Sequence, residues 1–535
     1  MTTKSPRIVS TDGGFSVFYA NRWLYSRHAP VNSALKVVAS IELRSDTLYL
    51  VPSPCLMHGI DALLSNLLAG SAILCVETED ALMGIAVTAF ESLRSDIRVR
   101  LIHEREPTAV AAFAQSMGTF RRVVPVQLSH GYSLDPERYD RILNALREDI
   151  SIFWRNRISL IRMGRLWVKN LFANIGAMNW ADVRPVPAVQ AGPVVVCGAG
   201  PSLDLALPLL RELDDGVHIM ACDTAAGALV LSGVRVDSVV CLEGQVYNLE
   251  DFLPLNTKPV DAFVDLSAHP SSYRALMGPK ILLSSRWADL RLLDRLAAAG
   301  FPMMPVPPLG SVGVLSLRIA AAFHGGPLFI TGLDFAYPAG RTHCAGSPID
   351  LTERRLETRL YKKGDRWAST FRDGTSCNDK GLVCDPALSM YADLASQELS
   401  LFSQAPGGLA YDLRQGIGAR LPARPTEFGE ARTVLRLASR ARAKASPEGI
   451  EPEAWASAAR RFLERELELA RKLRTALRTV TGVPALTGLV ADCDYMFAHF
   501  PDPQRVAALE LDGLKRLAAE AEYWEGRLKD ALAGA

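Results

Sequence analysis

The segment Val194-Val-Val-Cys-Gly-Ala-Gly-Pro-Ser-Leu-Asp204 constrains the fold of this chain more than any other. Its valines read as a buried strand of a parallel sheet, Gly198 and Gly200 close a tight turn, and Pro201 stands where a helix begins. Glycines let a backbone approach a ligand, and unpaired amides at a helix start favour a phosphate. Ser202 adds a hydroxyl. The segment therefore reads as a nucleotide site, with Gly198, Gly200, Pro201 and Ser202 around a phosphate. Leu203 stands where a dinucleotide fingerprint wants its third glycine, and no Gly-Lys-Ser/Thr follows. The next strand is His218-Ile-Met-Ala-Cys-Asp223, and its terminal acid lies about 20 residues past the glycines, where such folds hold a ribose hydroxyl. A single nucleotide fits better than NAD. A structural strand–turn–helix corner is the competing reading.

A chain of 535 residues has material for several domains. With 49% hydrophobic residues and a net charge of +1, it reads as a globular protein and not as a general nucleic-acid binder. Nine cysteines without a Cys-x-x-Cys pair suggest neither a zinc site nor a disulfide framework, and no metal site is expected. The start lacks an apolar signal core and no run is long and uncharged enough to span a bilayer, so the expected location is the cytoplasm.

Four regions separate along the chain. Residues 1–130 alternate strands (Leu48–Pro52, Ala72–Glu77, Val99–His103, Arg122–Val126) with helices. They read as a smaller, degenerate α/β domain, because the loop Ser53–Gly59 holds one glycine. Residues 131–190 read as a helical linker with a basic, aromatic stretch (Trp154, Arg155, Arg157, Arg162, Arg165, Trp167, Lys169), whose arginines are expected to be solvated or paired. Residues 191–425 read as a central Rossmann-like, doubly wound α/β domain that carries the chemistry. Residues 426–535 read as an α-helical bundle of about three helices.

Within the central region, Glu243 ends the strand Ser238–Glu243 and is placed near Asp223. The loop Pro305–Gly313 opens a helix and makes Ser311 the centre of a second candidate anion or sugar-hydroxyl site. The strand that ends at Gly332 leads to Asp334 and a turn bearing Tyr337, Arg341 and His343. In open α/β sheets function gathers where loops leave the carboxyl ends of strands. That trio supplies a hydroxyl donor, a fixed cation and a base of near-neutral pKa. Tyr361–Arg372 reads as a loop covering a ligand or as an exposed insertion.

Gly198-Ala-Gly-Pro-Ser-Leu-Asp204, Gly310-Ser-Val-Gly313 before a helix, and Gly332-Leu-Asp-Phe-Ala-Tyr337 with Thr342-His343 resemble the motility-associated factor glycosyltransferases. Leu24–Pro30 and Val168-Lys-Asn-Leu-Phe-Ala-Asn174 extend the likeness over roughly residues 20–425. The resemblance implies transfer of a nonulosonic, sialic-like sugar from a CMP donor to a serine or threonine of a protein acceptor, with flagellin as that acceptor. It also implies no cofactor beyond the CMP-activated sugar and a central domain similar to bacterial sialyltransferases. Carried over by motif, Gly198, Gly200, Pro201 and Ser202 hold the CMP phosphate. Asp223 and Glu243 take the places of nucleotide-binding asparagines, and Ser311 contacts sugar or nucleotide. Asp334 joins the nucleotide set, and His343 is the general base. Tyr337 and Arg341 share the role of two tyrosines, since Ala336 replaces the first of that pair. Ala199 stands where the family's turn has asparagine. A second branch of the superfamily resembles 6-hydroxymethylpterin diphosphokinases. It would use ATP and Mg²⁺, with Asp223, Glu243 and Asp334 as oxygen ligands. A non-catalytic nucleotide-binding scaffold is the third reading. Oligomeric state is left open.

Overall fold

The computed structural model describes residues 5–187, 192–323, 325–362, 374–377, 381–439, 449, 451–479 and 483–534. The loop expected at 361–372 therefore lies almost wholly outside the described residues. The chain divides into two compact units, Met1–Ser159 and Leu160–Ala535.

The first unit opens with a three-stranded antiparallel sheet of β1 (Arg7–Thr11), β2 (Gly14–Tyr19) and β3 (Arg22–Trp23). It continues with β4 (Thr47–Pro52), β5 (Ala72–Glu77), β6 (Val99–His103) and β7 (Arg122–Pro125), all parallel, in the order β6-β5-β4-β7. Every residue of β4 and β5 is buried, which is why both read as continuous apolar runs. Alternate residues feed two cores. Tyr49, Val51, Ile73 and Cys75 pack with Ile60, Leu63 and Leu64, whereas Leu48, Leu50, Leu74 and Val76 pack with Val110, Tyr139 and Ile142. The helix Pro136–Gly176, 41 residues without a break, belongs to this unit in its first part and to the second unit from Leu160 onward.

The second unit is built on ten parallel strands. These are β8 (Val183–Arg184), β9 (Val194–Cys197), β10 (His218–Cys222), β11 (Ser238–Cys241), β12 (Asp261–Asp265), β13 (Lys280–Ser285), β14 (Met304–Val306), β15 (Leu328–Thr331), and, after a small antiparallel sheet, β19 (Ala410–Asp412) and β20 (Arg424–Pro425). The small sheet comprises β16 (Tyr337–Pro338), β17 (Ser376–Cys377) and β18 (Leu382–Cys384). The large sheet runs β14-β13-β12-β11-β10-β9-β15-β19-β20, with β8 beside β13. From β9 the chain moves outward to β14, then returns to lay β15 on the other side of β9. The crevice between β9 and β15 is thus the topological switch point, where open α/β sheets bind ligands.

The C-terminal helices Phe428–Ala438, Pro452–Thr479, Val483–Asp492, Pro503–Ala507 and Leu511–Gly534 share one apolar core with the sheet. Phe172 lies edge-on to Tyr495 and Trp524, at 5.6 and 5.9 Å between ring centroids. The buried Glu466 takes a two-pronged bond from Arg295 at 2.6 and 2.8 Å. Leu509, whose φ of 58° departs from helical backbone, separates Pro503–Ala507 from Leu511–Gly534. In the basic helical stretch, Arg165 pairs with Glu520 at 3.2 Å and caps the Tyr523 ring at 3.9 Å. Among the described residues no helix is long and apolar enough to cross a membrane.

Candidate functional site

At the switch point the carboxyl ends of β9, β10 and β15 border a cavity of about 610 Å³, within the range of small-ligand sites. Gly198, Gly200, Asp223, Ser311, Asp334, Tyr337 and His343 line it. Pro201, Ser202, Glu243 and Arg341 are not among its lining residues.

The glycine turn is shaped by the turn that faces it. A Cβ on Gly198 would collide with the carbonyl of Gly332, and one on Gly200 would lie 2.6 Å from Asp334 Cγ. Gly332 has φ +66° and its own Cβ would strike the Gly198 carbonyl. Two backbones cross here with no room for side chains. The amides are already engaged: Gly198 N bonds Thr331 O at 2.9 Å, Gly200 N bonds Gly332 O at 2.7 Å, and Ser202 N bonds Asp334 Oδ2 at 2.9 Å. Ser202 is fully buried; its hydroxyl donates to Asp334 Oδ1 at 2.5 Å and accepts from Gly332 N at 2.8 Å. Ser202 thus knots the two turns together. Pro201 precedes the helix Leu203–Arg211 by two residues, and so is not the first helical residue that the sequence suggests. Burial raises the Asp334 carboxyl to about 6, against the opposing bonds from Ser202.

Asp223 opens the helix Asp223–Leu231 at the end of β10. One carboxylate oxygen accepts Thr224 N at 2.8 Å, and the other accepts Asn248 Nδ2 at 2.9 Å. The same Asn248 amide reaches Asp251 Oδ2 at 2.8 Å. Burial raises Asp223 to about 6 and Asp251 to about 7. Glu243 stands close enough to add to the rise at Asp223, as its sequence position suggests, yet its carboxylate turns back to accept Gln245 N at 3.0 Å.

The amino end of the 12-residue helix Val312–Phe323 opens on the cavity through Ser311, Val312 and Gly313. His343 lines the same cavity, half-buried, with Nδ1 2.9 Å from Thr342 Oγ1. Burial lowers its pKa to about 4, so the ring is neutral at pH 7. Its segment is tied to the glycine turn. Arg341 pairs with Asp204, Cys344 N bonds Ala199 O at 2.8 Å, and Ala345 N reaches both Asp204 oxygens at 3.1 Å. Arg341, read from sequence as a cation for the reacting group, is held by Asp204 and anchors the histidine's loop.

Glu353, Asp385 and Tyr391 complete the polar wall. The sequence reading missed them, together with Asn248. Asp385 carries the one available signal, as the N-cap of the helix Pro386–Gln404, where its carboxylate accepts Leu388 N at 2.8 Å. Among the described residues, no group of three or more His, Cys, Asp or Glu is arranged to hold a metal ion.

Fold and site together define an α/β protein with its ligand crevice at the switch point of a parallel sheet. Within that class, residues 169–340 match the family described as 6-hydroxymethylpterin diphosphokinase MptE-like. The whole of this chain aligns with 90% of the MAf glycosyltransferase from Magnetospirillum magneticum AMB-1, at a TM-score of 0.57 and 13% identity, so the two share a fold. An uncharacterized protein of Treponema pallidum (strain Nichols) is 28% identical over 543 residues, spanning 97% of this chain and 94% of its own. Both resemblances read from the sequence motifs are thereby met at the level of fold and domain.

Proposed function

We propose that the chain is a glycosyltransferase that moves a nonulosonic sugar from a CMP donor to a serine or threonine hydroxyl of a protein acceptor, flagellin being the first candidate. The observation that carries this reading is the meeting of a neutral, half-buried His343 with the amino end of the helix Val312–Phe323 across one cavity. The CMP phosphate is assigned to Ser311 and that helix start, because Gly198 N, Gly200 N and Ser202 N are spent on the crossing of the two turns. Asp223 then takes the ribose.

In the tautomer that donates from Nδ1 to Thr342 Oγ1, His343 presents Nε2 as a proton acceptor. The acceptor hydroxyl gives its proton to Nε2 while its oxygen bonds the anomeric carbon. The bond from that carbon to the phosphate oxygen breaks, and its electron pair leaves with CMP. The displacement inverts the carbon. Negative charge develops on the phosphate, where helix amides and the Tyr337 hydroxyl stabilise it. Arg341 acts by fixing the histidine's loop.

The match to the diphosphokinase family supports a second reading, in which ATP with Mg²⁺ occupies the same cavity. Titration calorimetry with CMP and with ATP, each with and without Mg²⁺, separates the two. CMP binding indifferent to Mg²⁺ is the expected result. Binding of ATP alone, and only with Mg²⁺, would overturn it.

A further inference from the structure

The cavity floor is the turn Gly332-Leu-Asp-Phe335, and its backbone is unusual. Gly332 and Phe335 both lie in the left-handed region, at φ +66° and +51°. Phenylalanine rarely adopts that conformation, so something outside the turn must hold it. Leu333 adds a second demand. Its Cδ2 lies 2.7 Å from where a Cβ would stand on Gly198, and equally on Gly313. The leucine is wedged between the loops that form two walls of the cavity, and a shift of the turn moves both.

The segment after β19 supplies the hold. Arg414 is 2% exposed and lies outside the cavity lining. Its Nε and Nη2 grip the Asp412 carboxylate at 2.9 and 2.7 Å, the two-pronged geometry that arginine favours. A buried ion pair needs only those two nitrogens. The remaining nitrogen, Nη1, donates to Leu333 O at 3.0 Å. One residue along the turn, Asp334 O accepts Ala419 N at 2.7 Å. Between them Gly418, at φ +103°, lies so close that a Cβ would collide with Asp334 O and stand 2.9 Å from Arg414 Nη1. Two successive carbonyls of the floor are thus held from behind by residues 414–419. The hold continues through the Asp334 carboxylate to Ser202 and the glycine turn.

We infer that Arg414 is a positioning residue: its third nitrogen fixes the Leu333 carbonyl and thereby the floor and both walls of the ligand cavity. That this floor receives a nucleotide rests on the proposed function; that Arg414 orders it does not. Lysine keeps the charge but cannot grip Asp412 with two nitrogens and Leu333 with a third at once.

Hydrogen exchange of the full-length chain, followed peptide by peptide, tests this without any ligand. In Arg414→Lys, exchange at 198–204 and 331–336 is expected to quicken about tenfold or more, with the amides of β11 and β12 unchanged. In Gly418→Ala, which presses a methyl against both the Asp334 carbonyl and Arg414 Nη1, the same two stretches are expected to respond. Unchanged exchange there in Arg414→Lys, or an equal rise across β11 and β12, would overturn the inference. CMP calorimetry on the same samples keeps the two claims apart. A parent that ignores CMP while Arg414→Lys loosens the floor removes the nucleotide reading and leaves the positioning role standing.

Discussion

The two parallel sheets carry the same device at their carboxyl ends and put it to different ends. In each, the second strand of a β-loop-helix-β unit leads to a buried acid, Glu77 as the last residue of β5 and Asp223 just after β10. In each, burial raises that acid, to about 7 and about 6. In each, a glycine lets two switch-point loops cross, Gly131 against Ser53 and Gly332 against Gly198. The contents of the crossings differ. In the first unit, Ser53 donates to Glu77 at 3.0 Å, Ser129 donates to Ser53 O at 2.6 Å, and Tyr25 donates to Pro54 O at 2.5 Å, around a fully buried Cys55. Ser53, Cys55 and Met57 all take positive φ to achieve this, a strain of about 1 kcal/mol or more each. At that sheet end Ser53, Cys55 and Glu77 are fully buried against one another; the other sheet end borders the cavity. A buried, raised carboxylic acid at a strand end therefore does not mark a ligand site by itself. Open volume beside it is what distinguishes the two.

The largest test of this contrast is at His343. Removing it as His343→Ala is expected to lower transfer about 10²–10⁴-fold while CMP binding is retained. If His343 is the base, neutral imidazole is its working form, and burial draws its pKa to about 4. Activity measured as kcat/KM should therefore hold from pH 7 down to about 5 and fall below that. Undiminished transfer by the alanine variant would remove the base from the cavity and leave it a binding pocket like any other.

Next in size is a matched pair of glycine substitutions. Gly332→Ala drives a Cβ into the Gly198 carbonyl at a positive φ, and Gly131→Ala drives one into Ser53. Each is expected to cost about 1–3 kcal/mol in the melting of its unit. Only Gly332→Ala should also abolish CMP binding. Loss of CMP binding in Gly131→Ala would show that the filled crossing contributes to the site, and the contrast would fail.

How far this was readable beforehand follows from the same geometry. The rule that function lies at carboxyl strand ends points to the loops after β9, β10, β15 and before the helix Val312–Phe323, and the cavity lies there. The doubly wound sheet is legible because β9, β10 and β15 are buried throughout and so appear as apolar runs broken only by His218 at the start of β10 and Thr331 at the end of β15. The rule does not say which way a side chain faces. Ser202 faces inward because Asp334, 132 residues away, accepts its hydroxyl. Arg341 faces Asp204 for a similar reason. Arg414 stands two residues past the last strand of the switch region, but its task depends on a carbonyl 81 residues earlier. Such partnerships are set by packing across the sheet and leave no local pattern.

The smallest expected effect separates the two acids by pH. Glu77 accepts Ser53 Oγ and the amides of Thr78 and Glu79, each at 3.0 Å, yet burial outweighs those bonds and raises its pKa from 4.5 to about 7. Between those values the folded state binds more protons than the unfolded chain. Stability contributed by protonated Glu77 is full below about pH 4.5 and lost as pH rises through 7. Glu77→Gln keeps an acceptor for the two amides and offers Ser53 an N–H, so it removes the charge without removing the bonds. The variant's first-unit melting should lose its decline between pH 5 and 8, and the variant should be the more stable of the two at pH 8. CMP binding should not change, because Glu77 belongs to the filled crossing. An unaltered pH dependence of melting would mean that Glu77 is ionised in the folded chain, and the likeness between the two strand-end acids would then not extend to their protonation.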